Sequence, residues 1–195
     1  MSVPTPEPKV LIQRCIWKSP MGYLGLVNRG RRLAAIFLNP DPVRFAHRVE
    51  LTYGTPGVQS QAPFAGVIRQ LEEYFAGSRL VFRIPLDLDQ GTPFQRRVWR
   101  GLLEIPYGRT LTYKELANVI GQPSAMRAVG GANGANPVPI VVPCHRVVAS
   151  GGRLGGFSAG LYLKQRLLDL ETQTRLRVSS YGMLDEEGWE RRLGA

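Results

Sequence analysis

Three prolines within seven residues, Pro137, Pro139 and Pro143, bracket the apolar residues Val138, Ile140, Val141 and Val142. Each proline fixes its own φ near about −65°, gives up an N–H, and pushes the preceding residue out of the helical region. The run is too short for a helix, so the backbone is expected to be extended and rigid through to Cys144. Cys144-His145-Arg146-Val147-Val148 follows at once. A rigid backbone suits a nucleophile, and cysteine is the strongest side-chain nucleophile, although only as thiolate. His145 is the adjacent candidate base, and the chain has one other histidine, His47. Taken alone, a Cys-His pair more often serves packing than catalysis, because free cysteine behaves as a small buried hydrophobe.

Other uses of the same residue types are disfavoured. The two cysteines, Cys15 and Cys144, cannot form a dense disulfide framework. Positions 15, 47, 144 and 145 lack the paired spacing of a zinc site, so no metal and no cofactor is expected. A thiol protease would need a distant histidine in a motif, and His47 has none around it. Cys15 reads as core on a strand.

Composition locates a partner. Over 195 residues, 25 Lys and Arg oppose 15 Asp and Glu, for a net charge of +10. Residues 93–171 are the most basic stretch, with 10 basic and 4 acidic side chains, against 11 and 7 over residues 1–92 and 4 and 4 over residues 172–195. Such a surplus points to a polyanion. The N-terminus has no basic-then-apolar leader pattern, and no apolar run approaches the roughly 20 residues of a membrane helix. An intracellular, reducing setting without membrane contact is therefore expected.

The chain reads as two parts and an extension: residues 1–91, 92–171 and 172–195. After a Pro-rich leader to Pro8, strands are expected over 10–17, 22–27 and 32–38. A helix over 62–76 follows, with Phe64, Val67, Ile68, Leu71 and Phe75 as its apolar face, then a strand over 80–84. No cluster of catalytic residue types stands out there. The second part opens with Thr92 as N-cap and Pro93 at the first helical position. Thr112 with Glu115 makes a capping box for a helix over 113–120, Gly121-Gln122-Pro123 turns, and Ser124 caps a third helix over 125–133. Helix, glycine turn and helix form a helix-turn-helix layout, which also serves as a plain helical hairpin. In the last residues, Trp189 suggests a short amphipathic helix over 186–193.

Pro143-Cys144-His145-Arg146-Val147 resembles the active-site signature of the O6-alkylguanine-DNA alkyltransferases, also called methylated-DNA–protein-cysteine methyltransferases. Thr112-Tyr113, Arg127-Ala128-Val129-Gly130-Gly131-Ala132, Asn136-Pro137-Val138-Pro139-Ile140 and residues 160–171 fall at the family's spacing. The similarity is strong over residues 92–171 and weaker from Ser19-Pro20-Met21-Gly22 to Leu38. It implies an α+β protein: an N-terminal ribonuclease-H-like α/β domain acting as scaffold, and a mainly helical C-terminal domain with a helix-turn-helix.

The resemblance also assigns roles. Cys144 would accept the alkyl group from O6 of guanine, or O4 of thymine, irreversibly and once per molecule. His145, through a water, would take the thiol proton, and Glu171 would orient His145. Tyr113 would donate a proton or hydrogen bond to the departing base, and Val147, Gly155, Gly156, Phe157 and Ser158 would form the base pocket. Phe157 stands where many relatives have tyrosine. Arg127 would fill the place of the flipped nucleotide, entering from the minor groove. Tyr113, Lys114, Gln122 and Ser150 would hold phosphate and sugar, and Asn136 would tie the DNA-binding helices to the acceptor segment. The implied partner is double-stranded DNA carrying O6-alkylguanine, bound by a monomer able to act cooperatively. The implied place is the cytoplasm and nucleoid of a prokaryote or the nucleus of a eukaryote. Two other readings share parts of this pattern: an alkyltransferase-like lesion sensor, whose known relatives lack the acceptor cysteine, and a transcription regulator using the helix-turn-helix alone.

Overall fold

The computed structural model describes residues 10–179. The leader to Pro8 and the helix expected around Trp189 lie outside the described residues. Strands β1 (Ile12–Ser19), β2 (Gly22–Arg29) and β3 (Arg32–Leu38) form an antiparallel meander. A two-residue strand, β4 (Val58–Gln59), adds parallel to β1, giving the order β3-β2-β1-β4. The register slips between Val27 and Asn28, because Ala34 of β3 has no partner. That extra residue puts Leu33 and Ile36 on the same face of the sheet.

Helix α1 (Pro42–Tyr53) covers one face through Phe45 and Val49, which pack on Ile12, Val27 and Ala35. The sequence analysis assigned no element there, although Asp41 caps the helix from its side chain and Gly54 closes it in the left-handed conformation. Only Phe45 and Val49 are buried on α1, and Val43 and Leu51 are exposed, so the apolar periodicity is faint. The other face receives α2 (Ala65–Phe75), entered through a 3-10 turn over Ala62–Phe64. Its inward residues are Val67, Ile68, Leu71 and Tyr74. Tyr74 is fully buried and Phe75 only partly, so the stripe lies one residue from its expected end.

Residues 80–84 are not a strand, contrary to expectation. The side chain of Gln70 donates to Arg83 O and accepts from Arg83 N, removing that residue's backbone from any ladder. Beyond Pro85, pairing with β3 is a single bridge, Leu33 to Leu86.

In the second half, α3 (Pro93–Leu103) begins at the expected Thr92 cap, where Gln95 completes a capping box, and α4 (Tyr113–Val119) begins at the expected box of Thr112 and Glu115. Helix α5 (Met126–Gly134) lacks the expected Ser124 cap: Ala125 holds the cap position, with no side-chain bond. Helices α4 and α5 form the helix-turn-helix and pack on α3, where Trp99 Nε1 donates to Ala132 O at 2.9 Å. A short parallel pair, β5 (Leu111–Thr112) with β6 (Val147–Val148), ties this unit to the segment after Cys144. Helix α6 (Leu161–Ser179) completes the described chain, and residue 172 lies inside it. One hydrophobic core runs from Leu24, Leu26 and Ile36 through Leu71 and Tyr74 to Trp99, Val142 and Leu167, so sheet and helices share an interior. Among the described residues, no helix is long and apolar enough to cross a membrane.

Candidate active site

The proline-bracketed segment is not extended throughout. Ile140 has φ of 76°, Val142 N bonds Val138 O at 2.9 Å, and Cys144 N bonds Val142 O at 2.8 Å across Pro143, whose φ and ψ are −82° and 61°. That is an inverse γ-turn, and it feeds Cys144 into a 3-10 turn, Cys144–Arg146. The prolines restrict only their own φ and that of their neighbours. The reversal between them is fixed by Asn136, whose Nδ2 donates to Val142 O at 2.8 Å while its Oδ1 accepts from Val138 N at 3.0 Å. Ile36 N also donates to Pro137 O at 2.9 Å, pinning the segment to β3.

Cys144 is buried at the wall of a cavity of about 190 Å³. Tyr113, Gly130, Asn133, Asn136, Gly156, Phe157 and Ser158 share that lining. Burial pushes the Cys144 thiol up to about 11, against the pull of the Asn136 amide and the Lys164 charge. The thiol is thus protonated at neutral pH and must lose its proton to react. A larger open groove, bordered by Ile12, Tyr53, Val58 and Gln90, has neither cysteine nor histidine in its lining.

Behind Cys144 is a closed polar cluster on one carboxylate, Glu171, which is fully buried in α6. Its Oε1 accepts from Tyr74 OH at 2.7 Å, from His145 Nε2 at 2.9 Å and from Arg146 Nη2 at 2.9 Å. Its Oε2 accepts from Arg146 Nε at 2.8 Å and from Gly108 N at 2.9 Å. Burial alone would raise the Glu171 pKa, but His145 first and Arg146 next, through charge and hydrogen bonds, hold it well below the carboxylate range. His145 goes the other way: burial lowers its pKa from the ordinary value, more than the nearby carboxylate raises it. The resting cluster is therefore one anion, one guanidinium and a neutral imidazole. His145 Nδ1 has no hydrogen-bond partner among the described protein groups and is free to act as a base.

These directions fix a pH dependence. Because the folded state binds the His145 proton less readily than the unfolded chain does, stability declines as pH falls from about 6.5 toward the native value. Glu171 contributes stability above the ordinary carboxylate range, and that is lost only as pH falls below it. Thermal melts between pH 7 and pH 5 are expected to show a falling Tm in the wild type and a flatter profile in His145→Gln. A slope unchanged by that substitution would assign the loss to other groups.

The other expected residues are distributed as follows. Tyr113 stands at the start of α4, half-buried in the cavity wall, and Gly155 packs on it: a Cβ there would lie 3.1 Å from the Tyr113 hydroxyl. Gly155 also has φ of 68°, so both space and backbone require glycine. Val147 does not line the cavity; its N–H bonds Cys144 O and its C=O accepts from Lys164, because β6 runs behind the site. Lys114 and Arg127 are exposed in the first turns of α4 and α5, Ser150 is exposed in a 3-10 turn, and Gln122 is half-buried in the α4–α5 connection. Glu171 is in the middle of α6, not near a helix end.

Three members of the site escaped the sequence analysis. Arg146 was legible only as part of the quoted motif. Lys164 is fully buried, and its ammonium donates to the carbonyls of Val147, Leu154 and Gly156, fastening the pocket loop to the back of the acceptor turn. The signal for it was a set of polar residues on one helix face: Lys164, Glu171 and Thr174, with Leu167 between them, recur at helical spacing and are all buried. Tyr74 comes from the other half of the chain and had no local signal.

The family model for the 6-O-methylguanine DNA methyltransferase DNA binding domain matches residues 93–173, and that for the ribonuclease-like domain of the same family matches residues 13–88. A methylated-DNA–protein-cysteine methyltransferase of Mycobacterium bovis is 44% identical over 153 residues, covering 78% of this chain and 88% of the relative. The protein of that name from Mycolicibacterium paratuberculosis is 49% identical over 157 residues, with the same coverage. Among solved structures, Mycobacterium tuberculosis OGT in complex with DNA aligns with a TM-score of 0.74 at 41% identity, covering 83% of this chain and 94% of that one. The O6-methylguanine-DNA methyltransferase of Pyrococcus kodakaraensis aligns at 0.60 and 28% identity, covering 83% and 99%.

Proposed function

The chain belongs to the 6-O-methylguanine DNA methyltransferase family, and from that premise we propose that it repairs duplex DNA by moving a methyl group from O6 of guanine onto Cys144. It is a methylated-DNA–protein-cysteine methyltransferase that binds DNA. The placing of each step on a residue is our reading. The observation that carries it is the buried Cys144 thiol on the cavity wall, next in the chain to an imidazole whose Nε2 is held by Glu171 and whose Nδ1 is unshared.

In this reading the thiol proton passes through a water to His145 Nδ1 as sulfur attacks the methyl carbon. The S–C bond forms, the C–O6 bond breaks with its electron pair going to guanine, and the base takes up a proton or hydrogen bond from the Tyr113 hydroxyl. Glu171 holds the imidazolium formed. The product thioether has no leaving group that water or thiol can displace, so each molecule reacts once. A buried thiol cannot reach a stacked base, so the nucleotide is extruded, with Arg127 filling its place from the minor groove. Lys114, Gln122 and Ser150 hold the backbone without reading sequence, and Asn136 couples α5 to the acceptor turn. O4-methylthymine is a second substrate of the same pocket. Residues 1–91 and 92–171 act as two domains of a monomer, with residues 172–195 as an extension.

Incubation with O6-methylguanine duplex, followed by intact mass and peptide mapping, tests the proposal. A gain of one methyl group located on Cys144 is expected. Tight lesion binding with no mass gain would move the protein to the lesion-sensing class, and a methyl on Cys15 would displace the assigned acceptor.

A further inference from the structure

Among the described residues, the Tyr74 hydroxyl is the one side-chain donor to Glu171 that comes from the first half of the chain. It is 2.7 Å from Glu171 Oε1 and 3.5 Å from His145 Nε2, so carboxylate, imidazole and phenol meet at one oxygen. Its ring is fixed by an edge contact with Tyr107 at 5.7 Å and by a tilted one with Phe82 at 5.2 Å. We propose that Tyr74 is a positioning residue for the alkyl transfer: its hydroxyl shares Glu171 Oε1 with the imidazole and so sets the orientation and basicity of His145.

The donors around Glu171 compete for one acceptor. Each donor to a carboxylate stabilises the anion and weakens its hold on the other donors. Arg146 and Gly108 occupy Oε2, and Arg146 also reaches Oε1, but the Tyr74 hydroxyl is neutral and lies within contact of the imidazole nitrogen itself. It leaves Glu171 strong enough to keep the Nε2 proton facing it, so that Nδ1 stays the unshared base. It also leaves Glu171 too weak to hold His145 protonated at rest. The titratable and charged groups around His145 are Tyr74 from α2, Tyr107 from the loop after α3, Arg146 and Cys144 from its own turn, and Lys164 and Glu171 from α6. Of these, only Tyr74 and Tyr107 can be altered by removing one oxygen without changing a charge, and of the two only the Tyr74 hydroxyl bonds Glu171. Burial pushes the Tyr74 phenol up, so it remains a donor at every pH of interest.

This inference rests on His145 being the base in the proposed reaction, and the experiment separates the two. The chain has two histidines, and His47 is exposed on α1, so imidazole NMR signals of the full-length protein are assignable with His47→Ala. In Tyr74→Phe the His145 midpoint is expected to rise by about 0.5–1 pH unit, because the carboxylate recovers its pull on the imidazolium. Replacing Tyr74 with 3-fluorotyrosine, a stronger donor of nearly the same shape, shifts the midpoint downward, and it keeps the test open if the phenylalanine variant fails to fold. In single-turnover transfer, Tyr74→Phe lowers the maximal rate roughly 3–10-fold and leaves duplex affinity unchanged. Midpoints that stay put in both variants overturn the proposal and reduce Tyr74 to packing, whatever happens to Tm. Midpoints that move in the variants while the wild-type protein fails to methylate Cys144 uphold the coupling and remove the proposed function instead.

Discussion

Cys144→Ser is expected to end methyl transfer and leave fold and duplex binding intact. Serine is nearly isosteric, and Cys144 Sγ carries no structural bond that the hydroxyl cannot replace: the turn is held by backbone bonds and by Asn136. The chemistry does not survive. A serine hydroxyl is a weaker acid than the thiol and a poor nucleophile unless deprotonated. The neutral His145, held below its ordinary value by burial, is matched to a thiol and is too weak a base for an alkoxide. The single-turnover rate is expected to fall by on the order of a thousandfold or more, and fluorescence anisotropy on methylated duplex is expected to give unchanged affinity. Transfer within tenfold of wild type would show that Cys144 is not the acceptor.

Glu171→Gln, which exchanges one carboxylate oxygen for an amide nitrogen, is expected to damage both stability and transfer. The carboxylate receives five hydrogen bonds, and Gln offers one acceptor oxygen and an amide that faces donors. Arg146, buried under the Tyr107 ring, is left as an unpaired charge. Breaking a buried pair by removing one partner costs about 3–5 kcal/mol, and at about 2–4 °C per kcal/mol Tm drops by roughly 6–20 °C. Transfer is expected to slow by about a hundredfold or more, because the imidazole loses the group that orients it. Differential scanning calorimetry and rapid-quench transfer read the two losses. Melting within about 2 °C of wild type would mean that Arg146 finds another partner.

The elements legible in the sequence were those with local causes. Thr92 with Pro93 announced α3, and the Thr112–Glu115 capping box announced α4, because such signals are written within four residues. Strands β1 to β3 were legible from turns and β-branched residues. The misreadings have distant causes. Residues 80–84 look like a strand until Gln70, 13 residues away from Arg83, takes that residue's backbone. The reversal at Ile140 depends on Asn136 and on a bond from β3, neither of which alters the apolar pattern. Cys144, His145 and Glu171 were placed by resemblance, and the structure brings His145 and Glu171 to 2.9 Å. Tyr74 was hidden because it sits beside Phe75 on a helix where either ring fits the stripe, and its partner is 97 residues away. The first half, read as scaffold, supplies that hydroxyl.

The spacing of the Glu171 bonds imposes an order of events on a growing chain. Tyr74, Gly108, His145 and Arg146 emerge from the ribosome 97, 63, 26 and 25 residues ahead of the carboxylate they share. Until α6 is made, the His145 imidazole has no carboxylate to orient it and Arg146 lacks the Glu171 counterion. N-terminal segments fold first during synthesis, at about 5–20 residues per second. Cys144 is therefore made about 1–5 s before the carboxylate that orients the neighbouring imidazole.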